Sequence, residues 1–283
     1  MQLISRTEDM SSLDRVVRPA QRLARMVRPQ RVRDALHGVW LGHPLHPVLV
    51  QAPVGAYLSA AVLDVVPGSL REGGARQSRR LVAFGLLASS PAALAGAVDW
   101  SEQHEQQMRV GVLHLAANLT ATALYGTSLL VGGARAARAL RFAGLSMVGV
   151  GGLLGGHISF RQAGGANHAE AVPHLVEPEW HDLMPARAIP ASGLTRTMLG
   201  EVPVVVLPDG TGGVHVLADR CSHLSGPLSD GDLGDGCLTC PWHGSTFRVQ
   251  DGAVVHGPAT APQPVFRTRI QGATVQVCLP GAG

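Results

Sequence analysis

The chain has 283 residues, 46% of them hydrophobic and only 15% charged, with a formal net charge of +3. Ordinary soluble domains carry roughly 25% charged residues, so the composition excludes a disordered polyelectrolyte and points to segments embedded in a bilayer. The small charge gives no footing for a nucleic-acid partner.

All 23 basic residues are Arg, and they are unevenly placed: residues 1–46 hold 8 Arg against 4 acids, residues 177–283 hold 6 against 10. The four cysteines all follow residue 220, a placement that suits a cofactor site better than a disulfide framework.

Residues 1–39 form a basic N-terminal segment. On a helical wheel over Arg15–Arg33, Val16, Ala20, Leu23 and Val27 share one side and Arg15, Arg18, Arg22 and Arg25 the other. That pattern predicts a helix lying on an anionic lipid surface.

Residues 40–163 contain four apolar stretches, Pro47–Val66, Leu81–Val98, Gly111–Val131 and Phe142–Phe160. Each is near the roughly 20 residues a spanning helix needs, and a lone strand would leave its backbone unpaired in lipid. The expectation is an all-α four-helix transmembrane bundle with close helix approach at its Ala and Gly faces. An even span count puts both termini on one side. The Arg-rich start makes that side the cytoplasmic face of a cell membrane.

With alternating helix directions, His43, His46, His104, His114 and His157 all map to one membrane face, beside Asp99 and Asn118. Clustered imidazoles at that depth suggest a second site: haem b, a metal, or contact with a quinone. The structural alternative is a set of helix-terminating hydrogen-bonding residues. His114 is the first-choice ligand and His157 the second. The run Gly42-His43-Pro44-Leu45-His46-Pro47 (GHPLHP), with Pro53, Gly55 and Asp64 after it, resembles a bacterial family of four-helix membrane proteins. That resemblance implies architecture and no activity.

Residues 164–179 read as a linker, and residues 180–283 as a small all-β domain. Val202–Leu207, Val214–Ala218, Gly252–Val255, Val265–Ile270 and Thr274–Leu279 alternate with turn residues. Within it stand Cys221-Ser222-His223 and, after sixteen further residues, Cys240-Pro241-Trp242-His243. Two thiolates and two imidazoles could hold tetrahedral zinc. The spacing argues otherwise, because each loop supplies one Cys and one His, as a [2Fe–2S] centre with two Cys on one iron and two His on the other requires.

Residues 180–280 resemble the Rieske domain family, in these loops and in Gly244-Ser245, Phe247 and Gly257-Pro258. The resemblance implies a [2Fe–2S] cluster with Cys221 and Cys240 on the inner iron and His223 and His243 on the outer. The additional loop cysteines of respiratory Rieske proteins are replaced by Gly226 and Trp242, and Phe247 stands in place of a hydroxyl-bearing Tyr. Both departures resemble the ferredoxin type of aromatic-ring dioxygenase systems and imply a low potential. Cys237 and Cys278 read as packed thiols. The expected function is a membrane-anchored carrier of single electrons between a soluble reductase or oxidase and a membrane component. The alternatives are a redox sensor or the electron-supplying component of an oxygenase system. The chain has no room for a separate oxygenase domain, so stand-alone catalysis is not expected.

Overall fold

Helices in the first half start and stop where the sequence supplies caps and breakers. A computed structural model describes residues 2–66, 72–189 and 191–280. In chain order the helices are α1 (Gln2–Glu8), α2 (Asp14–Ala24), α3 (Gln30–His37), α4 (Leu45–Leu49), α5 (Gln51–Val65), α6 (Glu72–Trp100), α7 (Glu105–Leu130), α8 (Ala134–Gly156) and α9 (Val172–Leu175). His104 caps α7 in a reciprocal box with Gln107, which satisfies two otherwise orphaned donors. Gly38, at φ 86°, ends α3; that left-handed position favours Gly.

The chain divides into two compact units, Met1–Arg28 with Leu45–Gly164, and Pro29–Pro44 with Gly165–Gly283. The basic N-terminal segment is therefore shared between them.

In the helical unit, α4 and α5 pack on α6 as one hairpin, and α7 on α8 as a second. Leu45–Val65, Gly73–Trp100 and Ala134–Arg161 are long and apolar enough to cross a membrane. The expected count of four such helices is not exact. The remaining long helix, α7, carries Gln106, Gln107, Arg109, His114, Asn118, Thr120, Thr122 and Thr127, which dilute its apolar content.

The glycines have a specific use here. A Cβ at Gly85 would lie within 3.0 Å of the Tyr57 ring, and one at Gly96 within 3.0 Å of His46. In the second hairpin Gly144 receives the Tyr125 ring at 3.0 Å and Gly155 receives His114 at 3.2 Å. His46 and Tyr57 are eleven positions apart, as are His114 and Tyr125, Gly85 and Gly96, and Gly144 and Gly155. Eleven residues make three helical turns, so each pair shares one face. The two hairpins are thus an internal repeat in which rings on one helix fill glycine notches on the next. Between them Tyr57 stacks on Tyr125, with centroids 3.9 Å apart and planes at 8°. Asp64 and Arg141 close the seam further along in a buried bidentate pair at 2.6 and 2.8 Å.

The N-terminal helices pack at the α6–α7 turn. Arg109 grips Asp14 at 2.8 and 3.0 Å, and Gln21 and Arg25 donate to the Ser101 carbonyl. Val17 is buried, while Val16 and Leu23 are exposed. Ala20 and Val27 are half-buried and Arg15, Arg18, Arg22 and Arg25 exposed, so burial does not separate the two sides of the wheel.

The second unit is all-β apart from short helices. Its strands are β1 (His181–Pro185), β2 (Thr195–Leu199), β3 (Val202–Pro208), β4 (Val214–Ala218), β5 (Asp232–Gly234), β6 (Cys237–Thr239), β7 (Thr246–Arg248), β8 (Val254–His256), β9 (Val265–Gln271) and β10 (Thr274–Cys278). They form a six-stranded antiparallel sheet, β1-β10-β9-β4-β3-β2, and a four-stranded one, β5-β6-β7-β8.

Strands β3 and β4 are buried on both faces and sort their side chains by the period of two. Val204, Val206, Val216 and Ala218 enter one core. Val205, Leu207 and Leu217 enter another that also contains Cys221, Cys240, Leu238 and Phe247. The segment Pro29–Pro44 belongs to this unit: the Asp34 carboxylate accepts from His256 Nδ1 at 2.9 Å and from the Gly257 N–H at 3.0 Å.

Candidate metal centre

The two Cys/His loops are built alike. Cys221 N–H donates to Gly226 at 2.9 Å and Ser225 N–H to Cys221 at 2.8 Å; Cys240 N–H donates to Ser245 at 2.8 Å and Gly244 N–H to Cys240 at 3.1 Å. Each is a six-residue loop that starts on its Cys and turns at its fifth residue, where Ser225 and Gly244 take φ of 62° and 77°. One loop leaves β4 and the other leaves β6, and both cysteines enter the same apolar core. Cys221 and Cys240 are 1% and 3% exposed.

His223 and His243 are half-buried, with ring centroids 5.1 Å apart and planes at 85°. The structure therefore brings the four expected donors together as a sheltered thiol pair and a more accessible imidazole pair. Backbone N–H groups of Trp242 and His243 point to the Cys240 sulfur, and the His223 N–H and Ser245 hydroxyl to that of Cys221. The hydrogen bond from Cys221 lowers the Cys240 pKa to about 7, while that same bond and burial push Cys221 up.

This donor set fits a binuclear cluster. Among the described residues no three His, Cys, Asp or Glu surround a single ion position, whereas a Rieske cluster takes two protein ligands per iron. A Cβ on Gly226 would come within 3.1 Å of Trp242 and 2.8 Å of the Cys240 sulfur. Trp242 thus packs over the bare glycine, and all four cysteines are free. Phe247 is fully buried beside the two ligand-loop cysteines.

Sequence reasoning missed Gln263, the brace of the first loop. Buried at 1% exposure, it donates to the Ala218 and Arg220 carbonyls at 2.7 and 2.8 Å and accepts from the Ser222 N–H at 3.0 Å. A Gln some forty residues from the motif carries no local signal. The second loop is braced by Ser245, whose hydroxyl accepts from the Ala259 N–H at 3.0 Å.

Within the helical unit, His46, His104, His114 and His157 do not gather as one cluster. His43 is exposed and its Nδ1 donates to the adjacent Pro44 carbonyl. His104 is the α7 cap. His157, the expected second ligand beside His114, is instead buried against Glu8 at 2.7 Å. His46 and His114 do face each other, with centroids 6.3 Å apart.

Two family models match the chain: the Rieske [2Fe–2S] domain over residues 179–267, and Predicted membrane protein (DUF2231) over residues 42–168. The chain is 31% identical over 99 residues to the anthranilate 1,2-dioxygenase ferredoxin subunit of Burkholderia cepacia, covering 35% of this chain and 91% of that one. It is 32% identical over 81 residues to the 3-phenylpropionate/cinnamic acid dioxygenase ferredoxin subunit of Escherichia coli, covering 28% and 76%. Among solved structures, one from the complex of reduced oxygenase and oxidized ferredoxin in carbazole 1,9a-dioxygenase is 26% identical. It covers 38% of this chain and 99% of that chain, with a TM-score of 0.34.

The fold and the paired loops define an iron–sulfur protein. Through its C-terminal domain the chain belongs to the Rieske [2Fe–2S] family, and it joins that domain to a membrane-protein domain. A Rieske domain implies a [2Fe–2S] cluster, and likeness to dioxygenase ferredoxin subunits places the protein among electron-transfer components.

Proposed function

We propose that the protein is a membrane-anchored one-electron carrier whose cluster is held by Cys221 and Cys240 on one iron and His223 and His243 on the other. The observation that carries this reading is the pair of matched loops, which bury both thiols and leave both imidazoles nearer the surface. When bound, the cluster supplies reversible one-electron transfer.

The chain's own residues supply the rest. Gln263 and Ser245 fix the loops, backbone N–H groups face the sulfurs, and Trp242, half-exposed beside His243, offers an apolar contact for a docking protein. The anchor consists of the long apolar helices, and the exposed Val16 and Leu23 of α2 give lipid a further face. Both termini and the cluster domain are assigned to the cytoplasmic side of a bacterial cell membrane. The exchange partners are a soluble reductase or oxidase on one side and a membrane component such as a quinone on the other.

A second reading, electron supply to an oxygenase system, is favoured by the names of the relatives, two of which are dioxygenase ferredoxin subunits. The test is spectroscopic. The full chain purified in detergent should contain two irons and two acid-labile sulfides. The reduced form should give a paramagnetic signal with an average g below that of all-Cys ferredoxins, lost on Ala replacement of any of the four ligands. One zinc and no sulfide would overturn the assignment.

A further inference from the structure

The two hairpins of the helical unit place one histidine each at equivalent points of the internal repeat. His46 Nδ1 lies 2.8 Å from the Ala92 carbonyl, and His114 Nδ1 lies 2.8 Å from the Gly151 carbonyl. A carbonyl only accepts, so in both rings Nδ1 carries the proton. A neutral imidazole then has a bare lone pair on Nε2. Anchoring Nδ1–H on a backbone carbonyl to present Nε2 is how proteins orient a metal-bound histidine. The repeat makes that arrangement twice and sets the two rings edge to face, 6.3 Å between centroids and at 80°.

We propose that His46 and His114 are the two protein ligands of a d-block metal centre between the helical hairpins, supplied either as haem iron or as a copper ion. One unengaged Nε2 on His46 and one on His114 that meets only the long Asn118 contact, on rings 6.3 Å apart between centroids, offer a Lewis acid two nitrogen donors. On a straight nitrogen–metal–nitrogen line, two bonds of about 2.0–2.1 Å plus one nitrogen-to-centre distance in each ring add up to roughly the 6.3 Å between centroids.

The chemistry excludes other occupants. Hard cations such as calcium or magnesium require oxygen donors, and a quinone carbonyl requires hydrogen-bond donors that these rings do not present. Imidazole suits iron, copper, zinc and nickel. Structural zinc requires four ligands, and no third His, Cys, Asp or Glu joins the pair among the described residues. A centre satisfied by two protein ligands remains: haem iron, whose macrocycle fills the other positions, or two-coordinate copper.

Asn118 holds the place of the metal on one side. Its Nδ2 lies 3.2 Å from His114 Nε2 and donates more closely, at 2.8 Å, to the His114 carbonyl. The longer contact can be surrendered while the shorter one stays.

The experiment uses the full chain in detergent, titrated separately with haemin and with Cu(I), with iron, copper and haemochrome measured. One equivalent of one of the two should bind beyond the cluster irons, and which one binds identifies the source. His46→Ala and His114→Ala should each abolish that binding, while His104→Ala and His157→Ala should keep it. His114→Met should retain a metal with an altered optical spectrum. The helical circular-dichroism signal and the Rieske paramagnetic signal, read on every variant, separate loss of the site from loss of the fold and from failure of the cluster assignment. Absence of binding by either probe to a folded chain, or binding that survives both His46→Ala and His114→Ala, would overturn the proposal.

Discussion

Ser225 and Gly244 occupy the same place in the two cluster loops: each follows its Cys by four residues, donates its N–H to that Cys carbonyl, and takes a positive φ. The left-handed position costs a side-chain-bearing residue roughly 1–2 kcal/mol. Gly244 avoids that cost, and Ser225 offsets part of it through its contact with His168 Nδ1 at 3.2 Å. Gly244→Ala should therefore lower stability by about 1–2 kcal/mol, although a Cβ there meets nothing within 4 Å. Ser225→Gly should fall within about 0.5 kcal/mol of the parent, the range of a substitution without a large mechanism. Chemical unfolding followed through the cluster absorbance measures both. Equal effects of the two substitutions would contradict the matched-loop reading.

The reduction midpoint should lie in the lower half of the Rieske range, which spans roughly −150 to +300 mV. The sulfurs face N–H groups of His223, Trp242 and His243 and the Ser245 hydroxyl, but Phe247 brings no hydroxyl and no disulfide joins the loops. Fewer donors leave the reduced, more negative cluster less stabilised. Phe247→Tyr should raise the midpoint in a potentiometric titration. An unchanged midpoint accompanied by lower stability would mean that the new hydroxyl is buried without a sulfur partner.

These loops were legible in the sequence because cluster chemistry fixes residue types at short local spacing. Five of the ten strands were legible too, β3 and β4 most clearly as Val-rich runs interrupted by Pro203 and His215, while β1, β2, β5, β6 and β7 carry no such run. What the sequence concealed was non-local. The hairpin repeat keeps its rings and glycines at intervals of eleven and little more than scattered leucines besides, such as Leu45 with Leu113 and Leu86 with Leu145, so no run of similar residues marks it. His157 read as a partner of His114 because helix directions put both at one membrane face. Nothing local indicated that Glu8, far away in sequence, would occupy its Nε2. The span count failed at α7 for a related reason: its polar side chains serve the seam and the turn, and they dilute the apolar signal.

The attachment of residues 29–44 to the β unit should depend on Asp34. Burial works against its charge, but the His256 hydrogen bond, the Gly257 N–H and Gln30 outweigh it, and the Asp34 pKa is lowered from 3.8. A depressed carboxylate contributes stability above its unfolded pKa and loses it as pH falls through the folded one. The segment should stay docked at neutral pH and loosen only below about pH 4, the ordinary Asp range. Asp34→Asn should loosen it at neutral pH by about 1–2 kcal/mol, in line with a charge-assisted hydrogen bond, and should differ little from the parent once Asp34 is protonated. Limited trypsin cleavage at Arg31 and Arg33 reads both effects, and unchanged cleavage of the Asn variant at pH 7 would contradict the attachment.

The two stacked tyrosines should respond differently to loss of their hydroxyls. Tyr57 shares a hydrogen bond with Ser89 at 3.2 Å, whereas the buried Tyr125 hydroxyl has no partner among the described residues. An unsatisfied buried polar group costs about 1–3 kcal/mol, so Tyr125→Phe should match or exceed parent stability in detergent. Tyr57→Phe should cost about 1 kcal/mol. The reverse order in thermal unfolding would sink the assignment.

Asp64 and Arg141 pose the sharpest test of the helical seam. They join α5 to α8 with both side chains under 10% exposed, and Arg138 adds a bond to the Asp64 carbonyl at 3.2 Å. Removing one member of such a pair leaves an uncompensated charge where no solvent reaches it, at a cost of about 3–5 kcal/mol. Asp64→Ala and Arg141→Ala should each destabilise the chain by that order. The double variant Asp64→Leu with Arg141→Met removes both charges while keeping volume, and such replacements are often neutral or stabilising. Its thermal midpoint in detergent should therefore recover most of what either single change loses. If the double variant is as unstable as the sum of the singles, charge compensation is not what holds the seam, and the contribution would have to come from hydrogen bonds that each residue makes separately.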